Sequence, residues 1–597
     1  MILRLNMMRN MCLNFMRNEI IEPTKMSPLW GFFEVNIFHL ITKMSPLWGL
    51  ISMNKINIFL LSICLSINGF AQKFTSKIAP LAGEKWYGAY TAKAYCDTPL
   101  KDITFQPYAA NEKKKDLRID NRGNQAAPLL TSNKGRYVWS DEPFVFEFVN
   151  GNLIISSDFE QVQVVTTQGK TLRDAYVGAM NQHFPASGKT LNPLMYKMPQ
   201  YNTWIELGSN QNQKDLLKYT NDVLKNSFPV GVFMIDDGWA KHYGNFEFDP
   251  STFPDPKAMM DTIHAKGFKV MLWLTPFVSP DSREFKQLNK LKGLVLEKDF
   301  KKPAIVKWWN GYSGCIDFTS KEGINWLRTN LTNLQTQYGI DGYKFDAADF
   351  DFYQEWPAGT KAPYPNKSTN TTGPIQTELF NKFGAEFDFN EFRASWKNGN
   401  QPIAQRLQDK QYSWEDLKLL VPDMLSAGLI GQPYTCPDMI GGGLLSNFEN
   451  IDYSKFDQEL MVRSAQTQAM MPMMQFSVAP WRVLDKKHLD IVRTSALLHA
   501  KMGEYIYELA QKTAKEGEPI VRHLEYAFPN QGFESCDDQF MLGEKYLVTP
   551  MIEKGTERQV RLPKGTWIDE LGNKFEGGKT IKIAVPLERV PYFTIAP

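Results

Sequence analysis

Five aspartates of the chain fall where a β-prone run gives way to a loop: Asp236 and Asp237 after residues 230–235, Asp346 after 342–345, Asp409 after 403–407 and Asp438 after 433–436. A single aspartate in that position is ordinarily a turn residue or a helix cap, because its short carboxylate bonds to nearby backbone. Repeated at the same boundary on parallel strands, the five would collect at one end of a sheet. Paired carboxyl groups across a pocket divide the work of glycoside hydrolysis: one is ionised to attack or stabilise the anomeric carbon, the other protonated to release the leaving oxygen. Rival chemistries lack their residues. The seven His are scattered without H-x-x-x-H spacing, and there is no P-loop, no GxGxxG after a strand and no GxSxG elbow. Two carboxylates suffice for the reaction, so no cofactor and no metal are expected.

The elements that must position these groups alternate. Strands are expected at 202–207, 230–235, 269–274 and 342–345, then near 390–393, 403–407, 433–436 and 471–476. Helices are expected at 213–226, with Leu216, Leu217, Thr220, Val223 and Leu224 on one face, and at 256–265. Thr319 and Glu322 have the spacing of a capping box for a helix that Gly339 ends. Eight strands separated by helices fit an α/β fold, a (β/α)8 TIM barrel, in which loops at the C-terminal strand ends build the site. The barrel is expected over 196–514, flanked by an N-terminal β-sandwich over 72–195 and C-terminal β-sandwich structure over 515–597. Residues 351–374, rich in Pro, Thr, Asn, Gly and Lys, have the look of an insertion that would form a lid or a subsite wall.

Net charge is +2 with no long basic run, which argues against a nucleic-acid partner. The 15 Trp, 23 Tyr and 39 Phe suit sugar faces and large cores alike. The octapeptide of residues 24–31 recurs at 42–49, and residues 1–52 are expected to be translated upstream sequence. Met53-Asn54-Lys55, the apolar run 56–67 and Ala71 form a signal-peptide pattern, so export after cleavage near Ala71 is expected, to the periplasm or beyond, without stable membrane insertion. Cys96, Cys315, Cys436 and Cys536 are widely spaced with no CxxC, which excludes the usual zinc patterns and favours buried thiols.

The motifs carry a resemblance. Asp341-Gly342-Tyr343-Lys344-Phe345-Asp346 resembles the nucleophile strand of glycoside hydrolase family 31, and Arg406-Leu407-Gln408-Asp409 with Trp414-Glu415-Asp416-Leu417 is similar to its acid/base loop. Residues 431–442, 472–482 and 539–550 extend the likeness over nearly all the chain beyond the leader. Trp308-Trp309-Asn310-Gly311 and Pro437-Asp438-Met439 are spellings of the branch holding the myogenesis-regulating glycosidase and bacterial α-galactosidases. Where the family's α-glucosidases carry a sugar-binding His, this chain has Pro437.

The resemblance implies a retaining, exo-acting α-glycosidase with terminal α-galactosides preferred. An α-glucoside, α-xyloside or sulfonated sugar, or a sugar-binding pseudoenzyme, are the alternatives. It makes Asp346 the nucleophile and Asp409 the acid/base, with Asp416 the rival for the second role. Lys344, on the same side of its strand as Asp346, would steady that carboxylate. Asp236 and Asp237 would grip ring hydroxyls, one of them alternatively being structural. Trp204 and Trp309 would wall the sugar or serve the core. Arg393 and Arg406 would hold hydroxyls or carboxylates. Asp438 would pin the glycine-rich turn, and Met470–Met474 would be barrel packing. Lys410 stands beside Asp409, where a charge facing the carboxyl would disfavour an acid; adjacent side chains are expected to diverge.

Overall fold

The barrel strands are short, and their register puts the loop aspartates at one rim. They are β1 (Gln200–Asn202), β2 (Val232–Ile235), β3 (Lys269–Leu274), β4 (Gly342–Phe345), β5 (Asn390–Phe392), β6 (Gln405–Arg406), β7 (Thr435–Cys436) and β8 (Gln475–Phe476). In this computed structural model, which describes residues 74–91, 106–119, 124–158, 161–297, 301–353 and 373–596, all eight lie in one sheet in the order β7-β6-β5-β4-β3-β2-β1-β8. Each neighbouring pair is parallel. A bridge between Met439 and Gln475 spans the remaining seam, so the sheet is a nearly closed barrel.

Its interior is polar, unlike the branched aliphatic layers common in such barrels. Gln475 Nε2 donates to Glu391 Oε2 at 2.6 Å and to Gln200 Oε1 at 2.9 Å, and Lys344 and Arg406 are buried nearby on β4 and β6. Groups this deep are tolerable only when paired. The apolar core lies instead between strands and outer helices, through residues such as Phe233, Leu272, Phe345 and Leu327. Met470, Met471, Met473 and Met474 are fully buried in core clusters, as packing requires.

Local chemistry sets the helix ends. Helix Gln213–Lys225 buries Leu216, Tyr219, Thr220 and Val223, and Asn212 caps it by accepting from Asp215 N. Helix Pro256–Ala265 opens with Asp255 as cap and Pro in its first turn. Helix Lys321–Tyr338 ends at Gly339 in the left-handed region, as expected, but its cap is Ser320, which accepts from Gly323 N. Thr319 sits one residue too early to reach that amide and donates to Asp317 Oδ1 at 2.6 Å. Residues 204–207 also depart from the expected strand. The Asn202 side chain accepts from Trp204 N at 2.8 Å, which turns the chain into the short helix Trp204–Leu207.

Before the barrel, a four-stranded sheet (Phe74–Ile78, Asn152–Ser157, Val145–Val149, Glu112–Asp116) faces a second sheet containing Trp86–Tyr90, Gln125–Ser132, Arg136–Trp139 and Val164–Thr166. Trp86, Leu130, Phe146 and Leu153 share the core of this sandwich. The second sheet takes its edge strand, Ser395–Trp396, from the barrel, paired in parallel with Gln125–Ala126. After the barrel, helix Lys486–Glu516 leads to a six-stranded sheet and the two-stranded Glu557–Leu562/Lys579–Ala584 ribbon around Trp567, Leu547 and Phe593. Cys315, Cys436 and Cys536 are free and buried. Cys96, the expected leader and signal peptide, and residues 354–372 of the expected insertion lie outside the described residues. Among the described residues, no helix is long and apolar enough to cross a membrane.

Candidate active site

The alternation of β4 turns Tyr343 and Phe345 outward and Lys344 and Asp346 inward. Asp346, at the strand end, is held by neutral donors: Trp273 Nε1 reaches Oδ2 at 2.7 Å and Ala347 N reaches Oδ1 at 2.8 Å. The second contact needs a sharp reversal, and Ala347 and Ala348 both adopt left-handed backbone, φ 58° and 64°. That conformation is uncommon for a residue with a Cβ, and such strain gathers at functional sites. Trp273 is fixed in turn, its carbonyl accepting from Trp239 Nε1 at 2.8 Å.

Lys344 does not bind Asp346 directly. Its ammonium pairs with Asp236 Oδ2 at 2.7 Å, both side chains being buried. Two residues along a strand are about 6.6 Å of rise, which places Lys344 level with the end of β2 rather than the rim. Burial disfavours its charge, but Asp236, with help from Asp346 and Glu391, outweighs burial and Arg406 and raises its pKa.

The neighbouring aspartates split. Asp236 points at Lys344 and accepts from Asp237 N at 2.9 Å. Asp237 Oδ2 accepts from Tyr243 OH at 3.1 Å and Asn310 Nδ2 at 2.8 Å. Burial, then the charges of Asp236 and Asp346, push the Asp237 carboxyl up to about 7 against the Tyr243 hydrogen bond. A cavity of about 270 Å³ opens beside Asp237, Tyr243 and Trp273.

Across the mouth, Asp409 is held by cations. Arg406 Nη1 donates to Oδ1 at 2.6 Å, and Arg393 Nη1 to Oδ2 at 3.3 Å. Burial pushes this carboxyl up, but Arg406, Arg393 and Lys344 together hold it well below the usual range. Lys410 diverges as expected: its ammonium lies 3.0 Å from Asp423 Oδ2. Arg406 Nη1 also reaches Asp438 Oδ1 at 3.0 Å, and Asp438 Oδ2 accepts from Lys410 N at 2.8 Å, so Asp438 fastens the glycine-rich turn to the loop that carries Asp409. Burial, reinforced by Asp409, raises Asp438 to about 7 against the pull of Arg406. Asp416 is occupied by its own helix start, accepting from Gln411 N at 2.6 Å.

Arg393 joins the two sides. Its Nε lies 3.2 Å from Asp349 Oδ2 and 4.0 Å from Asp346 Oδ1, while its Nη1 reaches Asp409. Trp309, 46% exposed, covers this guanidinium at 5.1 Å. Trp204 Nε1 donates to Gly443 O at 3.0 Å. A Cβ at Gly443 would stand 2.5 Å from Asp409 Oδ1, so a larger residue there would displace that carboxylate. Asp236, Asp237, Lys344, Asp346, Arg393, Arg406, Asp409, Trp204 and Trp309 therefore lie at this mouth or just below it, whereas Asp416 and the Met470–Met474 run do not. Sequence reasoning missed Trp273, Tyr243, Glu391 and Asp349 as site residues, and quoted Asn310 only as part of a motif. Among the described residues, no group of three His, Cys, Asp or Glu is placed to hold a metal ion.

Comparison with known proteins supports the barrel and the domain that follows it. A model of the glycosyl hydrolases family 31 TIM-barrel domain matches residues 193–509, and one of the family's C-terminal domain matches residues 517–596. The chain is 31% identical over 411 residues to the myogenesis-regulating glycosidase of Mus musculus, covering 67% of this chain and 56% of that protein. It is 26% identical over 418 residues to an alpha-xylosidase of Saccharolobus solfataricus, covering 67% and 55%. The chain thus spans little more than half the length of these relatives. In fold it is similar to a Flavobacterium johnsoniae GH31 dextranase complexed with glucose (TM-score 0.73, 19% identity, 88% of this chain and 66% of that one). It is likewise similar to a cycloalternan-forming enzyme from Listeria monocytogenes (TM-score 0.71, 19% identity, 88% and 53%).

Proposed function

The chain belongs to glycoside hydrolase family 31, and from that premise we propose that it is a retaining, exo-acting α-glycoside hydrolase with Asp346 as nucleophile and Asp409 as acid/base. The observation that carries the reading is Arg393, one guanidinium reaching toward both carboxylates, which sets them on two sides of one opening. In the first step a carboxylate oxygen of Asp346 bonds to the anomeric carbon while Asp409 gives its proton to the departing oxygen, which leaves as an alcohol. In the second, Asp409 takes a proton from water, the water oxygen bonds to the anomeric carbon and the bond to Asp346 breaks.

The cations around Asp409 favour its ionised form against burial, which suits the base step. For the acid step, an arriving sugar excludes water, so burial pushes the carboxyl upward, and sugar hydroxyls draw Arg393 away from it. Asp237 serves as a hydroxyl partner, and Trp309 gives the sugar a flat apolar wall.

For the sugar itself we favour a terminal α-galactoside. The support is in the motifs: Trp308-Trp309-Asn310-Gly311 and Pro437-Asp438-Met439 resemble the branch that holds bacterial α-galactosidases, and Pro437 stands in place of a glucosidase His. An α-glucoside or α-xyloside is the second reading, supported by relatives named alpha-xylosidase and alpha-glucosidase. The test is hydrolysis of 4-nitrophenyl α-galactoside, α-glucoside and α-xyloside, with NMR of the first-formed anomer. Galactoside turnover with α-product, reduced at least about 10⁴-fold in Asp346→Asn, is expected. Preference for glucoside or xyloside would overturn the choice of sugar alone. A β-product, or full activity in Asp346→Asn, would overturn the mechanism.

A further inference from the structure

The two arginines that hold Asp409 are themselves held from outside the barrel. Gln125, fully buried on the N-terminal sheet, donates from Nε2 to the backbone carbonyls of Arg393 at 2.5 Å and of Arg406 at 2.6 Å. Its Oε1 accepts from Thr91 Oγ1 at 2.8 Å. An amide nitrogen has two protons, and here each goes to one carbonyl. The two carbonyls fix which end of the amide faces the barrel, since they only accept, and the Thr91 hydroxyl, which can donate, serves the oxygen on the other side.

The barrel ladder does little to set this spacing by itself. β5 and β6 pair at a single register position, Phe392 with Gln405, and the arginines follow immediately after Phe392 and Gln405. Backbone pairing of Gln125 with Ser395 places the amide across their ends. Ser395 Oγ adds a brace, donating to Gln405 Oε1 and accepting from Gln432 Nε2, both at 2.9 Å.

We propose that Gln125 is a positioning residue for the acid/base carboxylate: its amide fixes the two strand ends that deliver Arg393 and Arg406 to Asp409. The inference rests on the reading of Asp409 as acid/base. It differs from a merely structural role in a measurable way. Misplacing Asp409 harms the departure of leaving groups that need a proton and spares those that do not, whereas general loosening of the site harms both.

The experiment compares kcat/KM for α-glycosides of the best sugar, with 2,4-dinitrophenolate as the good leaving group and an alkyl alcohol as the poor one. Gln125→Met keeps the volume and removes both donors; Gln125→Glu sets a carboxyl against two carbonyls. Thr91→Val, which removes the donor that steadies Oε1, is the mildest variant and replaces them should either fail to fold in a thermal melt. Asp409→Ala is the control. General acid catalysis contributes about 10²–10⁴-fold, and a displaced acid should forfeit part of it. The Gln125 variants are therefore expected to lose about 10–100-fold on the alkyl glycoside and under about threefold on the dinitrophenyl one. Equal losses on both substrates, or none on either while Asp409→Ala shows its leaving-group dependence, overturn the proposal. An Asp409→Ala variant without that dependence, or a parent without turnover, overturns the acid/base reading and this inference with it.

Discussion

Asp346 and Asp409 are the same side chain just beyond the ends of strands β4 and β6, and they face the same mouth, yet apart from Arg393, 4.0 Å from Asp346 and bonded to Asp409, the groups that hold them differ. Around Asp346 the donors are an indole and a backbone amide. Around Asp409 they are two guanidinium groups, one of them shared with Asp438. Neutral donors orient a carboxylate and leave its charge to act on whatever enters, which suits attack on a cationic anomeric centre. Cations fix position more firmly, because ionised hydrogen bonds are stronger, at the expense of the proton an acid must carry. On the proposed roles, the two sides of the pocket solve different problems: aim for the nucleophile, placement for the acid/base.

The largest effect should come from the shared cation. Arg406→Met leaves Asp409, Asp438 and Glu391 short of one buried positive charge, and breaking such a network costs roughly 3–5 kcal/mol, readable in a urea melt. In the protein that remains folded, Asp409 loses the cation that contributes most to holding its carboxyl down, so its pKa rises. Activity that needs protonated Asp409 then persists to higher pH, and the basic limb of the kcat/KM profile moves upward. An unmoved limb would mean that Asp409 is not the acid, and the contrast between the two sides would fall with it.

A middle-sized effect tests the rim carboxylate that leans on neither arrangement. Asp237, raised to about 7 chiefly by burial, binds its proton more tightly in the folded protein than in the unfolded chain. That stabilises the fold fully below the unfolded pKa, near 4, and the contribution is lost as pH rises through about 7. Asp237→Asn stays neutral throughout and can still accept from Tyr243 and Asn310. It should flatten the decline in stability between about pH 4 and 7 and, above pH 7, melt later than the parent by up to about 4 kcal/mol of stability. Loss of a charged hydroxyl partner should lower kcat/KM about 10–100-fold. A variant that is no more stable at pH 8 would mean that the carboxylate is not strained there.

Much of this was legible in the chain because it is local. Strands 269–274 and 342–345 and helix 256–265 stand where periodicity puts them, and the aspartates at strand ends needed only the rule that parallel strands share a rim. What was hidden depends on distance. Gln125 lies 268 positions from Arg393, in a β-prone run where a glutamine carries no signal. Glu391 lies inside a strand that reads as ordinary, and only the burial of Lys344 and Arg406 explains a third charge beside them. Trp273 is one aromatic among many until its indole is found 2.7 Å from Asp346. Trp204 falls within the expected strand 202–207; the Asn202 side chain, accepting from Trp204 N, turns that run into a short helix.

The smallest effect should separate the two sides most cleanly. Trp273→Phe keeps an aromatic wall and deletes one donor to Asp346. A hydrogen bond to a charged group is worth about 1.5–3 kcal/mol, but Ala347 N and the left-handed turn still aim the carboxylate, so the loss in kcat/KM should stay near tenfold at most. Because the indole acts on attack and not on departure, that loss should be the same for dinitrophenyl and alkyl glycosides. Variants on the Arg393–Arg406 side should instead lose more as the leaving group worsens. If Trp273→Phe showed the same dependence, the indole would be steering Asp409 through Arg393, and the mouth would be one coupled network rather than two separately built halves.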